Sequence, residues 1–199
     1  MHLHRLVILV GAAVLATACT APEPQGDGTA PTGLPPISEL DIGWNELHPG
    51  GETICSLGTE FAFFARPASQ ERLLIYFQGG GACWNVETCD PEGRPVYSRD
   101  VDGHDNPAGR RVGIFDLEAP DNPLREHSMV MIPYCTGDVH LGDRVTTYTV
   151  EAEDGGATRD VTIHHRGYAN AITVLEWIFA NYPSPAEIFV AGSSADVIA

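Results

Sequence analysis

The chain is short of basic residues. It has 11 Lys and Arg side chains against 27 Asp and Glu, which gives a formal net charge of −16 at pH 7. A charge of this sign repels the phosphate backbone of DNA or RNA and the surface of an anionic membrane. The composition therefore argues against nucleic acid as a partner, and contact with a membrane is expected only through a lipid anchor.

The chain also lacks an apolar run long enough for a transmembrane helix. Residues 6–18 are apolar, but they fall short of the roughly 20 residues that span a bilayer. They follow a positively charged start and end in small residues, which predicts a secretory signal peptide over residues 1–18. The small residues before Cys19 resemble a bacterial lipobox, in which this cysteine is lipidated. An ordinary signal peptide, with Cys19 there by chance, is the alternative.

The remaining composition predicts a tether followed by one domain. Residues 19–40 are rich in Pro, Gly, Thr and Ala and are expected to form a flexible tether. The chain has 199 residues, 43% of them hydrophobic, which suffices for a single globular core over residues 41–199.

The chain has few cysteines. Besides Cys19 there are four, an even number: Cys55, Cys83, Cys89 and Cys135. In an exported chain this predicts two disulfides, and the residues alone leave all three pairings open. A zinc site is the rival. It is less favoured because Cys83 and Cys89 are separated by more residues than the two to four of a typical structural zinc site.

Short apolar or β-branched runs predict strands. They lie at residues 60–65, 73–78, 128–133 and 188–191. The first two are connected through residues 66–70, which include a proline, and this predicts a hairpin connection. The second run is apolar almost throughout, as in a strand that is buried on both faces.

The segments between these runs predict one helix, a surface hairpin and a long excursion. Apolar residues at helical spacing predict a helix over residues 167–181 that ends before Pro183 and Pro185. Alternation predicts a hairpin of residues 145–151 and 160–164, and residues 90–122 are predicted to be an irregular surface excursion. The order of elements predicts an α/β fold with a mostly parallel sheet and flanking helices.

A serine follows the last predicted strand in a turn of small residues. Residues 192–196 match four of the five positions of G-x-S-x-G, with Asp196 in place of the final glycine. A serine on a sharp strand-to-helix turn is the nucleophile of α/β-hydrolases. The pattern alone is common by chance, but its position after a predicted buried strand favours Ser194 as a nucleophile. Asp196 is expected to strain the turn.

Three consecutive glycines, residues 79–81, follow another predicted strand. Their N–H groups have no side chains in the way and can bind the oxyanion that develops on an attacked carbonyl, with the N–H of Ala195 as a further donor. A phosphate-binding loop is less favoured because no Gly-Lys-Ser/Thr follows. A tight turn without a ligand is the other alternative.

The histidines do not supply an obvious catalytic base. In α/β-hydrolases the base follows the serine along the chain, whereas His140, His164 and His165 precede it. His164 and His165 are interpreted as a solvated pair rather than as metal ligands. Asp138 and Asp143 flank His140 and are interpreted as loop-solvating residues, with substrate binding as the alternative.

Three segments together resemble the pectin acetylesterase and Notum-type carboxylesterase family. They are F-Q-G-G-G-A-C-W-N at 77–85, I-P-Y-C-T-G-D-V-H-L-G-D at 132–143 and A-G-S-S-A at 191–195. The resemblance implies an α/β-hydrolase-like fold and serine hydrolysis of an acyl ester, commonly an acetyl group on a polysaccharide such as pectin, without metal or cofactor. An acylated carbohydrate, or another ester, is the implied substrate.

The resemblance also assigns residues. Ser194 would be the nucleophile, and Gly80, Gly81 and Ala195 would be the oxyanion-hole donors. It favours two disulfides, one between Cys83 and Cys89 and one between Cys55 and Cys135.

Two departures from the family lead to a further expectation. Asp196 replaces the glycine of the serine turn, and the Asp and His of a triad have no counterpart. We expect residues 41–199 to be the N-terminal part of a C-terminally truncated catalytic domain, inactive as written, whose intact gene product is an esterase. A noncatalytic, glycan-binding surface lipoprotein is the alternative function.

Overall fold

A computed structural model describes residues 33–152 and 156–194. The predicted signal peptide, the lipidation candidate Cys19, and the residues Ala195 and Asp196 of the serine turn lie outside the described residues.

The described part of the chain is a mixed sheet with one long helix and an additional hairpin. Its elements, in order, are β1 (Asn45–Leu47), β2 (Phe63–Arg66), β3 (Arg72–Phe77), α1 (Val86–Cys89), β4 (Ser128–Ile132), β5 (Arg144–Val150), β6 (Arg159–His165), α2 (Gly167–Asn181) and β7 (Glu187–Gly192). The predicted strands, the helix α2 and the β5–β6 hairpin are all present.

The five-stranded sheet has the order β1-β2-β4-β3-β7. Strand β3 pairs in parallel with β4 and β7, whereas β2 pairs antiparallel with β1 and β4. The prediction of a mostly parallel sheet is therefore too strong for the described residues, because the β1 and β2 side of the sheet is antiparallel. An α/β architecture is present as a mixed sheet.

The predicted hairpin between β2 and β3 is wrong. Strand β4, buried along its whole length, lies between them and pairs with both. The connection crosses the start of β4, where the Ser128 hydroxyl accepts from the Ala68 N–H at 2.9 Å and donates to the Ser69 carbonyl at 2.7 Å. A fully apolar strand is best buried at the centre of a sheet, and this favours insertion of β4 over direct pairing of its neighbours.

Helix α2 covers one face of the sheet. It has the bounds that the apolar spacing predicts, and it packs against Phe63, Ile75 and Val130. Its buried face is centred on Trp177, which has no exposed surface, whereas Phe179 is 60% exposed. The larger indole ring packs edge-on against Phe63.

The other face of the sheet is covered by the excursion rather than by an α-helix. Residues 90–122 are largely irregular, as predicted, but Phe115 is buried against Phe64, Met131 and Tyr76. This segment therefore belongs to the core as well as to the surface. Within the described residues no α-helix covers this second face, contrary to the prediction of helices on both sides.

The end of the predicted tether is also packed against the domain. Ile37 is 5% exposed, and its N–H donates to Asn181 Oδ1 at 2.7 Å. The Trp177 indole N–H donates to the Pro35 carbonyl at 3.0 Å. The structure thus differs from a tether that extends to residue 40, because these apolar residues complete the core around α2.

Strand β7 is the exposed edge of the sheet in the described part of the chain. Ile188, Phe189 and Val190 are 50%, 45% and 60% exposed, although the sequence predicts a buried strand. None of the described helices is long and apolar enough to cross a bilayer.

Candidate active site

Three loops meet at one edge of the sheet. Strands β4, β3 and β7 run in parallel, and Phe77 at the end of β3 is in register with Ile132 of β4 and with Gly192 of β7. The glycine loop, residues 79–81, the loop 133–143 and the serine turn, residues 192–194, therefore all begin at the carboxyl edge. In open α/β sheets, ligands bind in the crevice beyond this edge.

The serine turn contacts the glycine loop directly. The backbone N–H of Gly79 donates to Ser193 Oγ at 3.3 Å, across 114 residues of sequence. The two segments that the sequence singles out for attack and for oxyanion binding thus lie side by side.

Ser194 occupies a strained position in this turn. Its φ is +60°, in the left-handed region, and the residue is exposed. For a residue with a Cβ, that conformation costs roughly 1–2 kcal/mol. Such strain is typical of the turn that presents a hydrolase nucleophile. The catalytic role of Ser194 stays a prediction.

The backbone conformation of the glycine loop requires a glycine at position 81. Gly81 has a φ of +75°, and a Cβ there would collide with the carbonyl oxygen of Val96. At Gly80 a Cβ would only touch Tyr134, at 3.6 Å. The loop is followed closely by Cys83, whose N–H donates to the Gly137 carbonyl at 2.8 Å. The glycine loop is therefore fixed to the loop after β4, and the predicted oxyanion donors Gly80 and Gly81 are held near the serine turn.

Gln78 anchors the start of the glycine loop. Its side-chain amide donates to Asp105 Oδ1 at 2.7 Å, and its Oε1 accepts from the Tyr134 N–H at 3.2 Å. Its backbone N–H donates to the Ile132 carbonyl at 2.9 Å. One side chain thereby ties the ends of β3 and β4 to the excursion.

His140 lies against this anchor and was not singled out by the sequence as a functional residue. Its side chain is buried, and Nε2 lies 3.0 Å from the Gln78 carbonyl oxygen. Because a carbonyl only accepts, Nε2 carries the proton. Burial lowers the pKa of His140, and the Gln78 hydrogen bond and the charge of Asp138 oppose that shift. It lies in the segment 132–143 that carries the family resemblance, but nothing in the sequence indicates its contact with Gln78.

The two acids beside His140 have structural partners. Asp138 accepts from the Thr136 hydroxyl at 2.6 Å and from the Gly167 N–H at 2.7 Å, which joins the loop to the start of α2. Asp143 accepts from Arg166 at 2.6 Å. These contacts favour the interpretation that both carboxylates shape the loop.

Both disulfides implied by the resemblance are present. Cys83 bonds to Cys89, directly after the glycine loop, and Cys55 bonds to Cys135, at the start of the loop after β4. A ring nitrogen of His165 lies within 4.8 Å of the sulfur atoms of Cys83 and Cys89. These sulfur atoms are joined to each other and are not thiolates, which are the form that binds zinc. The disulfides brace the glycine loop and the loop after β4.

An open cavity of about 410 Å³ is lined by Cys83 and Trp84, which follow the glycine loop. Trp84, whose side chain is 69% exposed, lines it together with Arg144 and Tyr148. Arg144 donates to Thr146 and forms no ion pair with any described residue. An exposed indole and a guanidinium can both contact a polyhydroxylated ligand.

Comparison with known proteins agrees with this geometry. The pectinacetylesterase family model matches residues 48–199. Human palmitoleoyl-protein carboxylesterase NOTUM is 31% identical over 91 residues, which are 44% of this chain and 18% of that protein. NOTUM of Schmidtea mediterranea is 26% identical over 95 residues, 46% of this chain and 18% of that protein. The chain thus spans less than a fifth of the length of these relatives. The match to the family model, however, covers most of this chain. This chain belongs to the pectinacetylesterase family.

Proposed function

We propose that these residues form part of a serine carboxylesterase that hydrolyses an acyl ester, commonly acetyl, on a carbohydrate such as pectin. The observation that carries the proposal is the hydrogen bond from Gly79 to Ser193, which sets the serine turn beside the glycine loop. Membership of the pectinacetylesterase family supports the reaction class.

The reaction would proceed through an acyl-enzyme. Ser194 Oγ attacks the acyl carbonyl carbon as its proton passes to a general base, and the N–H groups of Gly80, Gly81 and Ala195 donate to the oxyanion. Collapse of the tetrahedral intermediate breaks the ester bond, and the protonated base returns the proton to the leaving oxygen, which departs as the alcohol. Water then attacks the acyl-serine, releases the acid and regenerates the hydroxyl.

The general base is expected to come from residues other than those described. None of the described histidines forms a hydrogen bond with Ser194, and His140 uses Nε2 to hold the Gln78 carbonyl. A serine without its base retains only residual catalysis from oxyanion stabilisation and binding. Activity is therefore tested on the complete gene product.

The test is hydrolysis of p-nitrophenyl acetate and of acetylated pectin by the complete gene product. Ser194→Ala is expected to lower kcat by at least about 1,000-fold. Ser98→Ala, which replaces an exposed serine of the excursion, is the matched control and should retain the wild-type rate. Undiminished hydrolysis by Ser194→Ala would remove Ser194 from the mechanism.

The alternative is a noncatalytic glycan-binding surface protein. The open cavity beside the exposed Trp84 favours it. In that case pectin oligomers bind to wild type and to Ser194→Ala equally, binding is lost in Trp84→Ala, and no variant hydrolyses the ester. Hydrolysis that depends on Ser194 would reject this alternative.

We also propose that the protein is exported and lipid-anchored through Cys19, since its two disulfides fit an oxidising compartment. Cell fractionation tests the anchor. Cys19→Ala should move the protein from the membrane fraction to the soluble fraction, and unchanged fractionation would contradict the anchor.

A further inference from the structure

We infer that His140 is a positioning residue that holds the peptide unit between Gln78 and Gly79, and through it the serine turn. The catalytic consequence of this inference rests on the proposed esterase function. The link itself rests on the contacts of His140, Gln78, Gly79 and Ser193.

The peptide unit between Gln78 and Gly79 connects His140 to the serine turn. The Gln78 carbonyl and the Gly79 N–H belong to the same planar group and point in opposite directions. His140 Nε2 lies 3.0 Å from the carbonyl oxygen, and Ser193 Oγ lies 3.3 Å from the Gly79 nitrogen. A rotation of this peptide would therefore break both hydrogen bonds together.

This peptide needs a restraint from outside the loop. It leads into three consecutive glycines, which have the widest conformational freedom of any residue type. The side chain of Gln78 holds the residue itself, but it does not contact the carbonyl of the Gln78–Gly79 peptide. The imidazole of His140 supplies a donor at that carbonyl.

His140 is in turn held by its own surroundings. Its ring centroid lies 5.3 Å from that of Phe77 and 5.0 Å from that of Tyr134. Val139 and His140 have φ values of 54° and 59°, and the Tyr134 hydroxyl accepts from the Val139 N–H at 2.8 Å. Two successive residues in the left-handed region persist only where the surroundings determine the conformation. The imidazole is thus built into a fixed place.

Two substitutions separate the hydrogen bond from mere space filling. His140→Phe keeps an aromatic ring but removes the donor. His140→Gln keeps an N–H donor at about the reach of Nε2 and serves as the conservative rescue.

The first readout is backbone NMR, which requires no activity. The order parameter of the Gly79 N–H is expected to be about 0.85 in wild type and His140→Gln and below about 0.6 in His140→Phe. The order parameter of Val174 in α2 should stay the same in all three. An equally rigid Gly79 in His140→Phe, or a parallel loss at Val174, would overturn the inference.

The second readout is kinetics of the complete gene product. His140→Phe should lower kcat by about 10- to 100-fold with little change in KM, because a misplaced turn affects the reacting atoms more than binding. His140→Gln should recover most of this loss, and equal loss in both variants would overturn the positioning role. A complete wild-type protein that hydrolyses no ester would refute the proposed function, whereas the NMR result would still decide whether His140 holds the loop.

Discussion

At the scale of single residues, Gly81 tolerates a side chain less well than its neighbour Gly80 in the glycine loop. Its φ of +75° and the carbonyl of Val96 both oppose a Cβ. Gly81→Ala is therefore expected to destabilise the fold by about 1–3 kcal/mol, measured by urea unfolding.

Gly109→Ala is the matched control for Gly81→Ala. Nothing lies within 4 Å of a Cβ at Gly109. The unfolding midpoint of this variant should equal that of wild type. Equal midpoints for Gly81→Ala and Gly109→Ala would show that the glycine loop adjusts without cost.

The buried imidazole of His140 predicts a pH dependence of stability. Burial lowers its pKa in the folded protein, whereas in the unfolded chain the pKa of this histidine is near its ordinary value of 6.5. Between these two pKa values the unfolded state binds more protons, so the free energy of unfolding rises with pH through that window. The contribution is fully present above pH 6.5 and is lost as the pH drops toward the folded pKa.

The measurement compares wild type with His140→Gln, which cannot titrate at this position. Chemical unfolding from about pH 4 to about pH 8 should show a shallower dependence in the variant below pH 6.5, the ordinary pKa of a histidine. Parallel curves would mean that His140 does not contribute to the dependence. The charge of Asp138 opposes the shift and makes the expected difference smaller.

Ser194 and the three glycines could be singled out from the sequence because each stands at the end of an apolar run. His140 and Gln78 could not, since their contact joins the end of β3 to the loop after β4 across 62 residues. Nothing in the sequence near either residue indicates that the glycine loop lies beside the loop after β4.

At the scale of elements, β7 is the most exposed apolar strand in the described part of the chain. Its Ile188 and Val190 side chains are at least half exposed at the open edge of the sheet. Such an edge is a template for pairing with another chain. The 199-residue chain is therefore expected to self-associate through β7.

Sedimentation of that chain tests this expectation. Val190→Lys should shift it toward monomer, because a charge on an edge strand opposes pairing. Val112→Lys is the control, since Val112 is 69% exposed in the excursion and lies in no strand. Equal association of the two variants would contradict a role of β7.

The elements also show which patterns can be interpreted locally. The sequence predicts helix α2 with its bounds, because its apolar spacing and the prolines after it lie within one segment. The β2–β3 hairpin was wrong because β4, which lies far along the chain from both strands, inserts between them. The order of the strands depends on which strand is buried at the centre of the sheet. The sequences of β2 and β3 do not indicate that this strand is β4.

At the scale of the whole molecule, the two disulfides differ in the length of chain they close. Cys55 and Cys135 are 80 residues apart, whereas Cys83 and Cys89 are 6 apart. A longer closed loop removes more entropy from the unfolded chain. Replacing both cysteines by alanine should therefore cost about 4.5 kcal/mol for the long pair and about 2 kcal/mol for the short pair.

Guanidinium unfolding of the two double-alanine variants measures this difference. The disulfide between Cys83 and Cys89 also braces the end of the glycine loop. Its loss is therefore expected to lower the rate of ester hydrolysis, although it lowers the free energy of unfolding only slightly. A larger stability loss for the short pair would contradict the loop-length argument.

The sequence by itself determined the local elements, the three chemistry-bearing segments and the family, because periodicity, turn residues and motifs are each written within a few residues of one another. Only the tertiary structure decided the mixed strand order, the core role of the excursion and the hydrogen bonds from His140 to Gln78 and from Gly79 to Ser193. These features depend on contacts between segments that are distant in the sequence. Packing of the whole core determines which of these contacts form, and no single stretch of the chain does so.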